Sequence, residues 1–249
     1  MTGQPPFLAL PQHLPPAGSP DRWPWLRRLR AQDDLDLEPW LEAIEGHGLV
    51  PDADLLAALA GRLDGAAASR LLAWWLAESD ANPALLNLIG RIRDRRCRAL
   101  LRQALRLPGE ATDARAAAGN GAIDRMAVLL PLLGHQRDPE DFQLLRQRVL
   151  APLPLQQRRA ALEGLAVGLA AWPAAPLRQT LRQLIGDLDP ALAATAVDLL
   201  ARLPAGRGDL ADLDRGRLAP ELARRVERRL AGAGVDAVDG RSWGSPQRA

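Results

Sequence analysis

Apolar residues along this 249-residue chain recur at helical spacing, as in Leu192, Ala196, Leu199, Leu200 and Leu203. The pattern predicts a helix from Asp21, with Trp23, Trp25, Leu26 and Leu29 as its apolar positions, and further helices at 37–46, 52–63 and 69–78. Another is headed by Asn82-Pro83, an N-cap with proline at the first position, and carries Gly90 near its end. Helices are then predicted from about 94 and at 122–133, 139–150, 155–171, 176–186 and 190–203, with shorter ones at 209–214 and 220–230. Pro51-Asp52 and Asp189-Pro190 supply two of the starts. Six prolines in residues 1–20 predict an extended tail, and residues 232–249 read as a flexible Gly/Ser/Pro tail. Gly119-Asn120-Gly121 interrupts the pattern without dividing the chain, so residues 21–231 are expected to be a single domain.

The helical pattern itself repeats. In NLIGRIRDRRCRALLRQAL, residues 87–105, an apolar helix end with Gly90 runs through Arg93-Asp94 into Leu101-Arg102-Gln103. The same order returns about 44 residues on, from Leu132-Leu133-Gly134 through Arg137-Asp138-Pro139 to Leu145-Arg146-Gln147. A third Leu-Arg-Gln stands at Leu181-Arg182-Gln183. Periods of this length built from two helices predict an all-α chain wound as an α-solenoid.

Composition agrees: Tyr is absent, there are only two Phe, and Leu, Ala and Arg dominate, which leaves little material for strands. Lys is absent as well, so the formal charge of +2 gives a high pI without a strong basic excess, weak grounds for nucleic acid. The single Cys97 excludes an internal disulfide, and His13, His47 and His135 are too scattered for a metal site. Prolines break the apolar run Phe7-Leu8-Ala9-Leu10 before it reaches signal-peptide length, and no stretch is long enough to span a bilayer. A cytoplasmic protein without membrane partners is expected.

DLDPALAATAVDLLARLP, residues 187–204, resembles the second helix of a HEAT repeat, and residues 87–105 resemble the junction in HEAT-like repeats of the phycobilisome lyase type. With residues 132–150 the likeness covers about half of the chain. Gly164 and Gly168 inside a helix depart from it, as does Ala191-Leu192 where the repeat has Val-Arg. The resemblance implies a right-handed α-solenoid of HEAT-like pairs that serves as a scaffold or chaperone-like adaptor for another protein. It also implies, as an alternative, a bilin lyase or phycobiliprotein chaperone that would attach a tetrapyrrole to a phycobiliprotein cysteine. The partner would be a phycobiliprotein subunit or a second HEAT-repeat subunit, with no cofactor beyond a transferred bilin. A DNA-binding or repair role is the third reading.

Arg91, Arg93, Arg95, Arg96, Arg98, Arg102 and Arg106 make the densest charge feature, and spacings of three and four put Arg95, Arg98, Arg102 and Arg106 on one stripe. Guanidinium pairs with carboxylates bidentately, so the stripe is a candidate docking surface for an acidic partner or for bilin propionates. Eight acids and no Arg between Asp33 and Asp54 could neutralise it, but a solenoid separates the two, and the stripe is expected to stay available. Trp74-Trp75, followed by Glu78 and Asp80, is similar in kind to the aromatics and carboxylate of DNA glycosylases built on HEAT-like repeats, but no matching acid and Arg spacing occurs elsewhere. Adjacent helical residues point about 100° apart, so one Trp at most lines a groove, and Trp74 joins the candidate partner-binding residues. Cys97 between Arg96 and Arg98 would have a lowered pKa if exposed, and otherwise packs as a small core residue. No catalytic residues are identified.

Overall fold

A computed structural model describes residues 11–46, 48–77, 84–89, 92–106 and 124–231. Described residues form α-helices and short 3-10 turns, and none is in a strand. The helices are α1 (Arg22–Ala31), α2 (Glu38–Glu45), α3 (Ala53–Leu59), α4 (Gly65–Ala77), α5 (Ala84–Ile89), α6 (Arg95–Arg106) and α7 (Arg125–Gln136). They continue with α8 (Phe142–Leu150), α9 (Leu155–Val167), α10 (Ala174–Ile185), α11 (Pro190–Arg202), α12 (Gly206–Ala211) and α13 (Pro220–Ala231). Aspartates start several of them: the side chains of Asp52, Asp64, Asp94, Asp124 and Asp189 accept hydrogen bonds from first-turn amides.

Packing follows chain order. Each odd-numbered helix packs on the next odd-numbered one from α1 to α13, making one file. The even-numbered helices make a second file: α2 packs on α4, α4 on α6, α8 on α10 and α10 on α12. Polar links join α6 to α8, among them Arg148 donating to the Leu105 carbonyl at 2.8 Å. The main core lies between the files and runs from Leu41 to Val226; a smaller cluster of Leu26, Leu29, Trp40, Leu55, Ala58 and Leu59 closes the N-terminal end. The three Leu-Arg-Gln triplets fall on α6, α8 and α10, and their leucines, Leu101, Leu145 and Leu181, are at most 1% exposed. Replacing Leu181 or Leu199 by alanine is expected to cost about 2–5 kcal/mol, measured by urea denaturation.

Several predicted boundaries are corrected. Gly134 does not end its helix: α7 continues to Gln136 and closes on Arg137 in the left-handed conformation, φ 53°. Gly134 is instead where α7 crosses α9, and a Cβ there would lie 2.2 Å from the Gly164 carbonyl oxygen. The glycine inside α9 is thus the other half of a backbone-to-backbone crossing. The helix predicted over 155–171 stops at Val167, because the Trp172 ring folds over Gly168 and its Nε1 donates to the Leu165 carbonyl at 2.8 Å. The segment predicted as one helix over 139–150 begins as a 3-10 turn, and the short helix predicted at 209–214 lies at Gly206–Ala211. Of the N-terminal tail, Pro11–His13 form a 3-10 turn and Leu14 packs on the smaller cluster. Asn82-Pro83, Gly90, Gly119-Asn120-Gly121 and residues 232–249 lie outside the described residues.

α13 is attached to α11 by charge. Asp198 accepts from Arg225 Nε at 2.9 Å and from Arg229 Nε at 2.8 Å. Burial raises the Asp198 pKa, but the two arginines outweigh it and bring it down to about 2. A folded pKa below the unfolded one gives stability that is complete above about pH 4 and lost as the pH falls towards 2. Asp198→Asn should remove this part of the acid sensitivity, seen as a flatter loss of helical circular dichroism over that window.

Candidate partner-binding surface

The acidic N-terminal segment is engaged locally. Arg22 pairs with Asp52, and Arg70 on α4 bridges Glu38 at 2.8 Å and Glu45 at 2.6 Å on α2. Those two carboxylates, Glu45 first, hold the Arg70 pKa above its ordinary value. None of these three acids pairs with Arg95, Arg98, Arg102 or Arg106.

The stripe is divided by the structure. Arg98 and Arg102 are held within the chain, by acids at the turn between α7 and α8, and this corrects the expectation that the whole stripe stays available. Arg98 pairs with Asp138 at 2.6 Å, Glu140 at 3.0 Å and Asp141 at 2.9 Å, and Arg102 pairs with Asp141 at 2.8 Å. Asp141 is fully buried. Burial opposes the Arg98 charge, yet its hydrogen bonds to Asp141 and Glu140 prevail and hold its pKa above the usual arginine value. Arg95 and Arg106 are exposed on the same helix, and with Arg98, Ala99, Arg102 and Gln103 they line a shallow surface groove. Arg91 lies outside the described residues.

A second groove sits at the matching place on α10, lined by Ala175, Arg178, Gln179, Arg182 and Gln183 together with Asp209 of α12. Asp209 pairs with Arg178 at 3.1 Å and with Arg182 at 3.3 Å. The two arginine pairs therefore follow one design, two guanidiniums one turn apart held by acids from further along the chain. The middle helix differs. Arg146 of α8 has no acid in ion-pair reach among the described residues, and its buried Nε has no hydrogen-bond acceptor there. The three triplet glutamines, Gln103, Gln147 and Gln183, are all exposed, as are Gln143 and Gln179. No acidic residue occurs in α6, α8 or α10.

The glutamines and Arg146 were absent from the sequence-derived site. The signal was present, since Leu-Arg-Gln marked the period, but a period alone does not say which member of a triplet faces outwards.

Trp74 is half-buried against the main core, and Trp75 is 2% exposed beneath the Arg125 guanidinium, 5.4 Å from the ring centre. Glu78 and Asp80 lie outside the described residues. Cys97 is buried, as the packing alternative expected; burial first, then the charge of Asp94, pushes its thiol up to about 11. Among the described residues, no group of three or more His, Cys, Asp or Glu is placed to hold a metal ion, and no helix is long and apolar enough to cross a membrane.

Comparison with known protein families, curated proteins and solved structures finds no match for this chain.

Proposed function

We propose that the chain is a right-handed α-solenoid of HEAT-like helix pairs that binds a partner protein on the face formed by α6, α8 and α10. The observation that carries the reading is the threefold recurrence of a buried leucine, an arginine and an exposed glutamine on successive helices of one file. Burial of the leucine builds the stack, and nothing in stacking requires the glutamine. A repeated outward polar position is what an array needs if an extended ligand is to meet each repeat in the same way. Arginine on the same helices adds carboxylate recognition, the commonest polar handle a protein partner offers.

Handling of a bilin is the second reading, supported by Arg95, Arg106 and Arg146, which make no ion pair among the described residues and match propionate carboxylates in charge. The α6 groove offers arginine, glutamine and one alanine, so a tetrapyrrole ring would find charge there and little apolar wall. Native mass spectrometry of the protein purified gently at low salt from its own host separates the readings. A stoichiometric protein partner that leaves as salt rises is the expected result. Colour bound covalently to a co-purified subunit would favour the lyase, and a chain recovered alone at low salt would overturn the scaffold reading.

A further inference from the structure

We infer that the ligand of the α6–α8–α10 face is an extended acidic segment of a partner protein, held by Gln103, Gln147 and Gln183 through its main chain and by Arg146 through a carboxylate; this rests on the reading of that face as the binding surface.

A glutamine side chain ends in an amide, one oxygen acceptor and an NH2 donor, the same pair a peptide unit presents. Neighbouring packed helices lie about 8–10 Å apart. A chain near the polyproline II conformation advances about 9 Å per three-residue turn, makes no internal hydrogen bonds and leaves every N–H and C=O open. Laid across the three helices, such a chain shows the same edge to each glutamine in succession. Contact to the main chain sets no side-chain preference, and the arginines supply one.

The charges on these helices are unevenly satisfied. Arg98 and Arg102 have Asp138, Glu140 and Asp141, and Arg178 and Arg182 have Asp209. Arg146, between the two pairs, has no acid in ion-pair reach among the described residues, whereas each of the four flanking arginines has one. Its half-buried guanidinium carries a charge that no acid of the described chain offsets, and a ligand carboxylate supplies the opposite charge together with charge-assisted hydrogen bonds. Arg95, Arg96 and Arg106, all exposed, extend the positive field along α6.

Two other occupants fit less well. Single-stranded nucleic acid binds through aromatic platforms as well as charge, and the only aromatic residue on the three helices, Phe142, is buried. The acidic segment of a second copy, Asp33 to Asp36, is not free to lie down: Leu35 packs on the N-terminal cluster and Asp36 caps the Glu38 amide at 3.0 Å.

The test uses the full chain and a fluorescein-labelled peptide of Asp, Glu and Gly about nine residues long, enough to cross three helices. It is read by anisotropy at low salt. Saturable binding is expected, weakened about tenfold by Arg146→Gln, as befits one hydrogen bond to a charged group. Gln147→Ala should weaken it several-fold, and by less when the peptide is N-methylated along its backbone, which removes the N–H donors and leaves only the carbonyls for the glutamine amide. Variants are compared only where their circular dichroism matches the parent. Three results would overturn the inference. One is equal affinity for the methylated peptide with no effect of Gln147→Ala, which would mean charge alone. Another is tighter binding of a single-stranded oligonucleotide of equal charge. The third is self-association abolished by Asp33→Asn with Asp34→Asn, which would make the occupant a second copy. Should the peptide fail to bind while a protein partner still co-purifies, the acidic-segment inference falls and the proposed function stands.

Discussion

Changing Arg98 and Arg102 together to glutamate is expected to destabilise the protein by about 3–5 kcal/mol, enough to unfold many domains of this size. Asp141 is fully buried, and those two guanidiniums are its ion-pair partners. Their removal leaves a carboxylate charged without compensation, and the new glutamates bring like charges to the same corner. Arg95→Glu and Arg106→Glu are the controls. Both side chains are exposed and neither makes an ion pair among the described residues, so each should shift stability by no more than about 0.5 kcal/mol. Urea denaturation measures all of them. A double variant as stable as the parent would mean that the α7–α8 turn is fixed by something other than its acids.

Gly134→Val should cost about 3 kcal/mol, at the upper end of the usual range for overpacking. No rotamer escapes the clash, because the obstacle is backbone: the Gly164 carbonyl oxygen would lie 2.2 Å from the added Cβ. The reverse position behaves alike, a Cβ on Gly164 meeting the Leu130 carbonyl oxygen at 2.7 Å. Helices α7 and α9 must separate to admit either, and this loosens the packing of Leu130, Leu133, Leu145 and Leu165 around the crossing. Valine at Gly208, which has open space at its Cβ position, separates this effect from that of losing a glycine in a helix. Equal melting temperatures for the two valine variants would contradict the crossing.

Residue order was informative at some of these places and silent at others. Helical periodicity and the Leu-Arg-Gln spacing located the helices of the even file and identified Leu101, Leu145 and Leu181 as equivalent, because burial of one face leaves a direct imprint on residue order. Gly134 was misjudged for a physical reason. A glycine that ends a helix and a glycine that lets two helices touch look the same in one chain, and only the partner helix tells them apart. The arginine stripe suffered likewise: spacing showed a common face on α6 but not what faces it. The acids of Asp138-Pro139-Glu140-Asp141, one period downstream, carry a second role as helix-start signals, which concealed their pairing with Arg98 and Arg102. Charge segregation between Asp33–Asp54 and the stripe was visible in the sequence, whereas the local partners of the acids, Arg22 and Arg70, were not.

Whether a partner sits on the glutamine-bearing face of the even file is tested most directly by site-specific photo-crosslinking inside the native host. The crosslinking amino acid is placed singly at Gln103, Gln147 and Gln183, and for comparison at Glu163 of α9 and Thr195 of α11. All five positions are exposed. One common protein adduct is predicted from the three glutamine positions, and none from the two on the odd file. Adducts from Glu163 or Thr195 alone would contradict the assignment of that face.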